Sequence, residues 1–356
     1  MANTRLRYFD MAKGLGIILV VLGHIEYISE PLRTWISSFH MPLFFIVSGM
    51  LICHKNESGQ PLSSLIKKKA RGILIPYLYF SLLYFVIDIL NVRFGKITPE
   101  TFVKDNIASL TFYGVSVLWF LPALFLAQIL FLFLVKRTGR PLFALIASLV
   151  IAVSAYLLQL SLGPVYTASE SSLLITSAID FLRVFLRSMI ATAYVAVGFV
   201  LFPLIEKEGS FSVKQLIAGI AAFLLNLPLC LINGCVDYHY MILNTVPLTF
   251  LCALLGSLSI ILICKNMKPL DPLCFFGKNS LIVMSTHVNT YVLYAAIQIA
   301  WAIDTVVTRA KLYIFLFNIM AFTFLFEALI IVIINRFFPF VLGKGSLLSL
   351  FRRKEQ

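Results

Sequence analysis

Long apolar runs constrain this chain more than any other feature. A membrane-spanning helix needs about 20 apolar residues. Apolar types make up 60% of the 356 residues and charged types only 13%, whereas roughly a quarter of a soluble domain is charged. The sequence predicts an all-α polytopic membrane protein with about ten transmembrane helices. The predicted spans are 14–28, 39–53, 73–92, 117–135, 141–160, 183–203, 215–233, 245–264, 280–301 and 312–335.

The distribution of cations predicts how these spans are oriented. The net charge of +13 lies in short connections between apolar runs, which argues against a nucleic-acid-binding face. With a cytoplasmic N-terminus, 21 Lys and Arg fall inside and 6 fall outside. The positive-inside rule then predicts that both termini are cytoplasmic and that the protein lies in the cell membrane, in contact with lipid. No repeat or linker divides the chain, so we expect a single membrane domain over 1–356.

Ionisable residues inside a span are costly, and the first span carries His24, with Lys13 directly before its start. Lys13 and His24 are separated by ten residues, which places the imidazole about 16 Å above the lysine. The offset of eleven positions is close to three helical turns, so both side chains should share one face. A base and a cation that act on one elongated ligand would need this arrangement. A snorkelling lysine and a structural histidine are an equally good interpretation.

The second predicted span begins near Phe39, which places Pro42 in its first turn, where proline is tolerated. His40 would then lie at the outer mouth of the bundle, and Ser48 about 12 Å further in, at a depth similar to that of His24. Gly49 alone is more typical of close helix packing. Trp119 opens the fourth span at the outer interface, where an aromatic belt is the usual explanation.

Cations collect where the third span leaves the cytoplasm, and they are Lys67, Lys68, Lys69 and Arg71. This cluster could hold the phosphates of an anionic ligand, although topology or acidic lipid explains such runs more often. Arg183 and Arg187 could bind an anion near the outer end of the sixth span, but we favour contacts with lipid headgroups and with Asp180.

The ninth span opens at Gly277, continues through Asn279 and Ser280, and carries His287 about 10 Å further in. A second imidazole that reaches a depth similar to that of His24 favours function over chance. The sequence contains no Gly-rich phosphate loop, no nucleophile elbow and no Cys/His spacing suited to zinc, so we expect no metal.

In order along the chain, these motifs resemble the acyltransferase 3 family of integral membrane O-acyltransferases. The resemblance covers nearly the whole sequence. The residues that carry it are Asp10-x-x-Lys13 and His24, then Phe39-His40-Met41-Pro42-x-Phe44-Phe45-x-x-Ser48-Gly49, the basic run to Arg71 with Pro76-Tyr77, Trp119-Phe120-Leu121-Pro122, and Gly277-Lys278-Asn279-Ser280-Leu281 followed by His287.

The resemblance implies a function. Members of the family take acetyl groups from cytoplasmic acetyl-CoA and modify hydroxyls of surface or lipid-linked carbohydrates. Lys13 and His24 match the essential first-span motif, with Lys where many members have Arg. Because lysine lacks the bidentate fork of arginine, this substitution changes how a phosphate could be held. We expect no soluble esterase-like domain of the kind fused to some members.

The expected chemistry has two versions. His24 acts as the base that deprotonates a sugar hydroxyl, or it accepts the acetyl group covalently and passes it on. In both versions the cytoplasmic cations hold the phosphates of acetyl-CoA, the acceptor enters past His40 and Trp119, and Asn279, Ser280 and His287 orient the thioester.

A polytopic transporter of a small solute or a lipid-linked sugar is the rival prediction, since a bundle with a few central polar groups would also serve transport. The lack of repeated halves and of matched Gly/Pro-broken helices argues against it. A non-catalytic sensor or anchor would leave the histidines without a purpose.

Overall fold

A computed structural model describes residues 5–168, 172–209, 211–307 and 312–345, with the side chains of 304–307 outside that description. These residues form α-helices and short 3-10 turns, with one isolated pair of bridged residues, Asp237 and Ile242, and no strand. The helices are α1 (Arg7–Gly23), α2 (Glu30–His54), α3 (Leu62–Arg93), α4 (Pro99–Leu110), α5 (Phe120–Thr138), α6 (Pro141–Ala168), α7 (Leu173–Glu206), α8 (Val213–Asn233), α9 (Val246–Lys265), α10 (Asp271–Lys278), α11 (Ser280–Thr286), α12 (Val292–Val307) and α13 (Leu312–Phe337).

Eight of the helices within the described ranges are long and apolar enough to cross a membrane. They are α2, α3, α5 with the 3-10 turn before it, α6, α7, α8, α9 and α13. The most apolar stretch of α2 is 78% buried, against 22% in α6, α8 and α13. The core of α2 is therefore enclosed by protein, whereas those three helices present wide apolar faces outward, as lipid contact requires.

Several predicted spans lie within longer helices, since α3 begins at Leu62 and α7 at Leu173, and three predictions differ in ways that bear on the site. The first predicted span, 14–28, is displaced, because α1 begins at Arg7 and ends at Gly23. The second begins nine residues earlier than predicted, at Glu30, because Ser29 and a proline at the helix start begin the helix there. Pro42 and His40 therefore lie inside α2, and placing them in the first turn at the outer mouth was wrong.

The ninth predicted span, 280–301, is two helices rather than one. Helix α11 ends at Thr286 and α12 begins at Val292, and Tyr291 between them has a positive φ of 63°. A bulky residue in the left-handed region interrupts a helix, because its Cβ would crowd the backbone of a continuing turn. No glycine or proline marks this break in the sequence.

The chain divides into two compact units that interleave along the sequence. The first holds the chain up to Leu62, Leu126–Ser161 and Leu186–Ser280, and the second holds Ser63–Phe125, Leu162–Phe185 and the chain from Leu281 onward. In the first unit α1 packs on α2, α9 and α10, α2 also packs on α8 and α9, and α8 packs on α9.

Glycines allow the helices of the first unit to touch backbone to backbone. A Cβ added at Gly49 of α2 would overlap the carbonyl oxygen of Val195 in α7, and one added at Gly198 would overlap that of Ile46. Gly49 is therefore a close-packing position, which is the simpler of the interpretations made from the sequence.

The second unit is organised around α3, α4 and the pair α12–α13. Tyr84 of α3 donates to the carbonyl of Ser285 at 2.8 Å, and the Thr286 hydroxyl lies 2.9 and 2.8 Å from the two carboxyl oxygens of Glu327. Helix α4 lies between the third and fourth predicted spans. The Thr98 side chain begins this helix by accepting from the Thr101 amide at 3.1 Å.

Candidate active site

His24 lies at the end of α1, as the residue that caps its C-terminus. The residue is exposed although protein surrounds most of its ring, whereas the adjacent Ile25 is completely buried. The ring is anchored to the helix, because Nδ1 lies 2.8 Å from the carbonyl oxygen of Val20. The imidazole is therefore both fixed in orientation and accessible to a ligand.

The hydrogen bond to Val20 sets the tautomer of His24. A carbonyl oxygen only accepts hydrogen bonds, so Nδ1 must carry the hydrogen. In the neutral ring, Nε2 then keeps the lone pair that can take up a proton. His40 is held in the same way, with Nδ1 2.8 Å from the carbonyl of Ile36. Both imidazoles thus present a basic Nε2.

One face of α2 lies near His24. Arg33, Ser37 and His40 are spaced by four and three residues, which places them on one side of the helix. Arg33 and His40 are each close enough to His24 to interact with it electrostatically. The structure therefore brings His40 close to His24, whereas the sequence analysis had placed His40 at the outer mouth and Ser48 at the depth of His24.

Arg33 caps the end of α1. Its guanidinium donates to the carbonyl oxygens of Gly23 at 3.1 Å, Ile25 at 3.2 Å and Glu26 at 3.4 Å. The last carbonyls of a helix have no partner within the helix, and an arginine that reaches them complements the negative end of the helix dipole. Arg33 thereby ties the turn that carries His24 to α2.

A loop between α8 and α9 covers the same face of α2. The Ser37 hydroxyl accepts from the Val236 amide at 3.2 Å and donates to the carbonyl of Thr34 at 3.0 Å. Asp237 follows in this loop and lies within electrostatic range of His24. Its carboxylate also accepts from the backbone amide of His239 at 2.8 Å. The loop therefore brings one carboxylate near the imidazole and holds it there.

Lys13 belongs to an ion-pair cluster at the other end of α1. Asp10 is almost completely buried and accepts two hydrogen bonds from Arg5, at 2.6 and 2.9 Å. The Lys13 ammonium lies 3.2 Å from the same carboxylate. Two cations that share one carboxylate leave a net charge of +1. A bidentate pair with Arg5 also leaves Lys13 as the more weakly held partner.

The Gly277 motif packs directly against α1. A Cβ at Gly277 would overlap the carbonyl oxygen of Asp10, and one at Gly14 would overlap that of Leu273 in α10. Asn279 then ends α10, and its side-chain amide donates to the carbonyl of Phe275 at 2.9 Å. Ser280 follows at the start of α11. Asn279 and Ser280 therefore directly follow α10, which packs against the part of α1 that carries Lys13.

The remaining predicted site residues have separate settings. Ser48 lies within α2, half-buried, in the first unit. His287 and Trp119 belong to the second unit, and both are buried. The His287 ring is bound through Nδ1 to the carbonyl of Val283 at 2.8 Å. Burial of Trp119 excludes the aromatic-belt interpretation, since a belt residue would be exposed to the interface.

The basic cluster begins α3 in the second unit. Lys67 and Lys68 are exposed and Lys69 is half-buried. The Arg71 guanidinium donates to the carbonyl of Gly343 at 2.7 Å and more weakly to that of Gly345 at 3.5 Å. Arg71 therefore fastens the segment after α13 to α3, a structural role that sequence reasoning missed.

Sequence reasoning also missed Arg33, Ser37, Asp237 and Asp10 as neighbours of the site. Arg33 was counted only as an external cation. Arg33 lies seven residues, or about two helical turns, before His40. Had both been placed on one helix, this spacing would have predicted that they share a face. Asp237 had no such signal, because a loop distant in sequence carries it. No group of three or more His, Cys, Asp or Glu suited to a metal ion occurs in the part of the chain that the structure describes.

Comparison with known proteins identifies the family of the chain. A family model for the acyltransferase domain of Acyl_transf_3 matches residues 6–342. The chain belongs to the acyltransferase 3 family. This assignment confirms the resemblance drawn from the Lys13, His24 and Gly277 motifs, and the eight long apolar helices agree with a multi-pass membrane protein.

One curated relative of this acyltransferase 3 protein is the nodulation protein NolL of Mesorhizobium japonicum, strain LMG 29417 / CECT 9101 / MAFF 303099. The two are 30% identical over 176 residues, which is 46% of this chain and 44% of NolL. The match thus spans less than half the length of that relative. No solved structure matches this acyltransferase significantly.

Proposed function

We propose that this acyltransferase moves an acetyl group from cytoplasmic acetyl-CoA to a hydroxyl of a cell-surface or lipid-linked carbohydrate, with His24 as the base. The observation that carries the proposal is the state of His24. Its ring is accessible, its Nδ1 is bound to Val20, and its Nε2 therefore bears the lone pair. A sugar hydroxyl is a poor nucleophile, so its attack on a thioester needs such a base.

The proposed reaction has two steps. In the first, the hydroxyl oxygen attacks the thioester carbonyl while its proton passes to Nε2 of His24, and the carbonyl electrons move to the oxyanion. In the second, the oxyanion re-forms the carbonyl and the carbon–sulfur bond breaks. The CoA thiolate takes the proton from His24, which leaves an acetyl ester and CoA thiol and restores the neutral imidazole.

The groups around His24 suit this cycle. Once His24 takes up a proton, the Asp237 carboxylate stabilises the imidazolium, and the backbone bond from Nδ1 to Val20 keeps the ring in place. The cationic Arg33 opposes the imidazolium and so favours the return of the proton to the leaving thiolate. His40, with the same tautomer, is a second acceptor beside the reacting hydroxyl.

The donor is held by cations in this proposal. Lys13, which shares Asp10 with Arg5, would contact a phosphate of CoA, as would the exposed Lys67 and Lys68. Lys69 and Arg71 belong to the same basic run, with Arg71 also holding Gly343. Asn279, Ser280 and His287 remain candidates for orienting the thioester, and Ser48 and Trp119 for contacting the acceptor.

The test uses the full chain in lipid nanodiscs with radiolabelled acetyl-CoA and a panel of glycans. We expect His24→Ala to abolish transfer while its thermal unfolding stays like that of the unsubstituted protein. His54→Ala, which removes another imidazole from the same unit at the far end of α2, is the matched control and should keep activity. Normal turnover by His24→Ala would overturn the assignment.

Rapid mixing with acetyl-CoA, followed by mass spectrometry, separates direct transfer from an acetyl-histidine relay. In the absence of acceptor, direct transfer leaves His24 unmodified in a protein that has been shown to be active. An acetyl adduct confined to His24, formed and consumed at the rate of turnover, would establish the relay instead.

A further inference from the structure

The second unit contains a cavity of about 440 Å³ where α4, the end of α6 and the start of α7 meet. This volume falls within the about 300–1,000 Å³ typical of small-molecule pockets. The predicted orientation places this end of the unit outside the membrane. The polar and aromatic residues that line the cavity are Lys104, Asp105, Tyr113, Tyr166, Thr176 and Asp180.

Arg183 lies behind two lining residues at one end of the cavity and contacts both of them. This arginine is only 8% exposed, and its guanidinium lies 3.2 Å from the Asp180 carboxylate and 4.0 Å from the centre of the Tyr166 ring. The buried Nε of Arg183 has no hydrogen-bond partner among the residues that the structure describes. A cation stacked on the phenol ring and paired with the carboxylate fixes both lining groups in place.

Asp105 is one of the two carboxylates that line the cavity. Its carboxylate is half-buried, and within the described ranges it takes part in no hydrogen bond or ion pair. Burial raises the pKa of this carboxyl above its ordinary value of 3.8, and the negative charge of Asp88 raises it further. Lys104 next to it is instead turned to Glu100, 2.8 Å away. Asp105 is therefore a hydrogen-bond acceptor on the cavity wall that Lys104 does not neutralise by an ion pair.

The charges of the cavity favour a neutral ligand. Asp105 and Asp180 are offset by Lys104 and by Arg183 behind the wall. A phosphate or carboxylate ligand would meet two carboxylates, and an acyl chain would have to desolvate all of these charged groups. A sugar ring suits the lining better, because its hydroxyls donate to carboxylates and its C–H faces pack on aromatic rings.

We propose that this cavity binds a sugar residue of the carbohydrate acceptor, with Asp105 accepting hydrogen bonds from its hydroxyls and Tyr166 packing on the ring. The inference rests on the proposed function, in which a carbohydrate receives the acetyl group. It adds a binding site for the acceptor in the second unit, apart from the residues assigned to chemistry.

Saturation-transfer NMR tests this directly on the full chain in nanodiscs, with chitotetraose, maltotetraose and cellotetraose as probes. We expect saturation of the ring protons of at least one tetrasaccharide. Asp105→Ala and Tyr166→Ala should each weaken that binding at least about tenfold, the value of a hydrogen bond to a charged group or of an aromatic contact. Val103→Ala, which shortens an exposed side chain of the same helix outside the cavity, is the control and should bind normally.

The two proposals fail in different ways. His24→Ala should bind the tetrasaccharide as well as the unsubstituted chain does, while it transfers no acetyl group. Binding without acetyl transfer by the unsubstituted chain would overturn the proposed function and leave the sugar site standing. Saturation of none of the three probes, or binding that Asp105→Ala and Tyr166→Ala leave unchanged, would overturn the sugar site.

Discussion

The guanidinium of Arg33 donates to the carbonyl oxygen of Gly23, the residue that precedes His24, at 3.1 Å. This bond joins the end of α1 to α2 at the point where the imidazole leaves the helix. The position of His24 therefore depends on a side chain that does not itself carry out chemistry.

Replacing Arg33 tests this dependence. We expect Arg33→Gln to lower kcat for acetyl transfer about tenfold or more, since hydrogen bonds from a charged group contribute about 1.5–3 kcal/mol. The KM for acetyl-CoA should stay unchanged, because the donor contacts other cations. Arg33→Lys should recover part of kcat. A rise in KM with kcat intact would show instead that Arg33 binds substrate.

The tautomer of His24 can be observed directly. In protein with ¹⁵N-labelled histidine, with His24→Ala used to assign the signal, Nδ1 of His24 should resonate as a protonated nitrogen and Nε2 as an unprotonated one at neutral pH. The carbonyl of Val20 enforces this state. The reverse assignment would remove the basic nitrogen from the side that the proposal requires.

Glycine packing gives a prediction about stability with an internal control. Gly277→Ala and Gly49→Ala each place a methyl group on a backbone carbonyl of another helix, and rigid overlap of this kind costs about 1–3 kcal/mol or more. Gly72→Ala lies in open space on α3 and should stabilise the helix by about 0.5–1 kcal/mol. Thermal unfolding in detergent compares the three variants. Equal losses in all of them would contradict the packing argument.

The buried carboxyl of Glu327 is stabilised by a hydrogen bond from the hydroxyl of Thr286. Thr286 is its hydrogen-bond partner in the described part of the second unit, and Glu327 is fully buried. Thr286→Val should destabilise the fold by about 1–3 kcal/mol, because the carboxyl loses its partner. In the double variant Thr286→Val with Glu327→Leu most of this stability should return. A double-mutant cycle on unfolding free energies measures the coupling, and simple additivity would refute it.

Acid should weaken sugar binding through Asp105. Because the pKa of this carboxyl is raised above 3.8, it takes up its proton at a higher pH than an ordinary aspartate as the solution is acidified. Tetrasaccharide affinity should therefore fall as pH decreases through that raised pKa. Asp105→Asn, which cannot titrate, should bind with an affinity that does not change over the same range, and a parallel decline in both proteins would exclude Asp105 as the cause.

Sequence predicted most of the helices, because a bilayer-length apolar run has few alternatives to a helix. It misplaced the start of α2, where the search for apolar residues passed over Glu30 and Arg33 and took Pro42 as a first-turn proline. Ser29 is a residue type typical of a helix start, but the prediction gave more weight to the charged residues that follow it. The break before α12 depends on the backbone of Tyr291, which its side-chain type does not encode.

Within the candidate site, the predictable part was the set of residues on a single helix. The relation of Lys13 to His24 follows from their spacing along α1, whereas the place of His40 beside His24 depends on where α2 begins. The partners that decide their chemistry, Asp10 through its pairing with Arg5 and Asp237 through the loop after α8, depend on contacts that no local pattern specifies.

The paired glycines of α2 and α7 have a mechanical consequence. Gly49 packs against the backbone of Val195, and Gly198 packs against that of Ile46, so α2 and α7 touch at two points. Because both contacts are backbone to backbone, neither helix can slide or rotate against the other without a steric clash at a carbonyl oxygen. We expect this contact to stay closed during turnover, so in the proposed reaction the pantetheine arm of acetyl-CoA would reach the first unit along another side of α2.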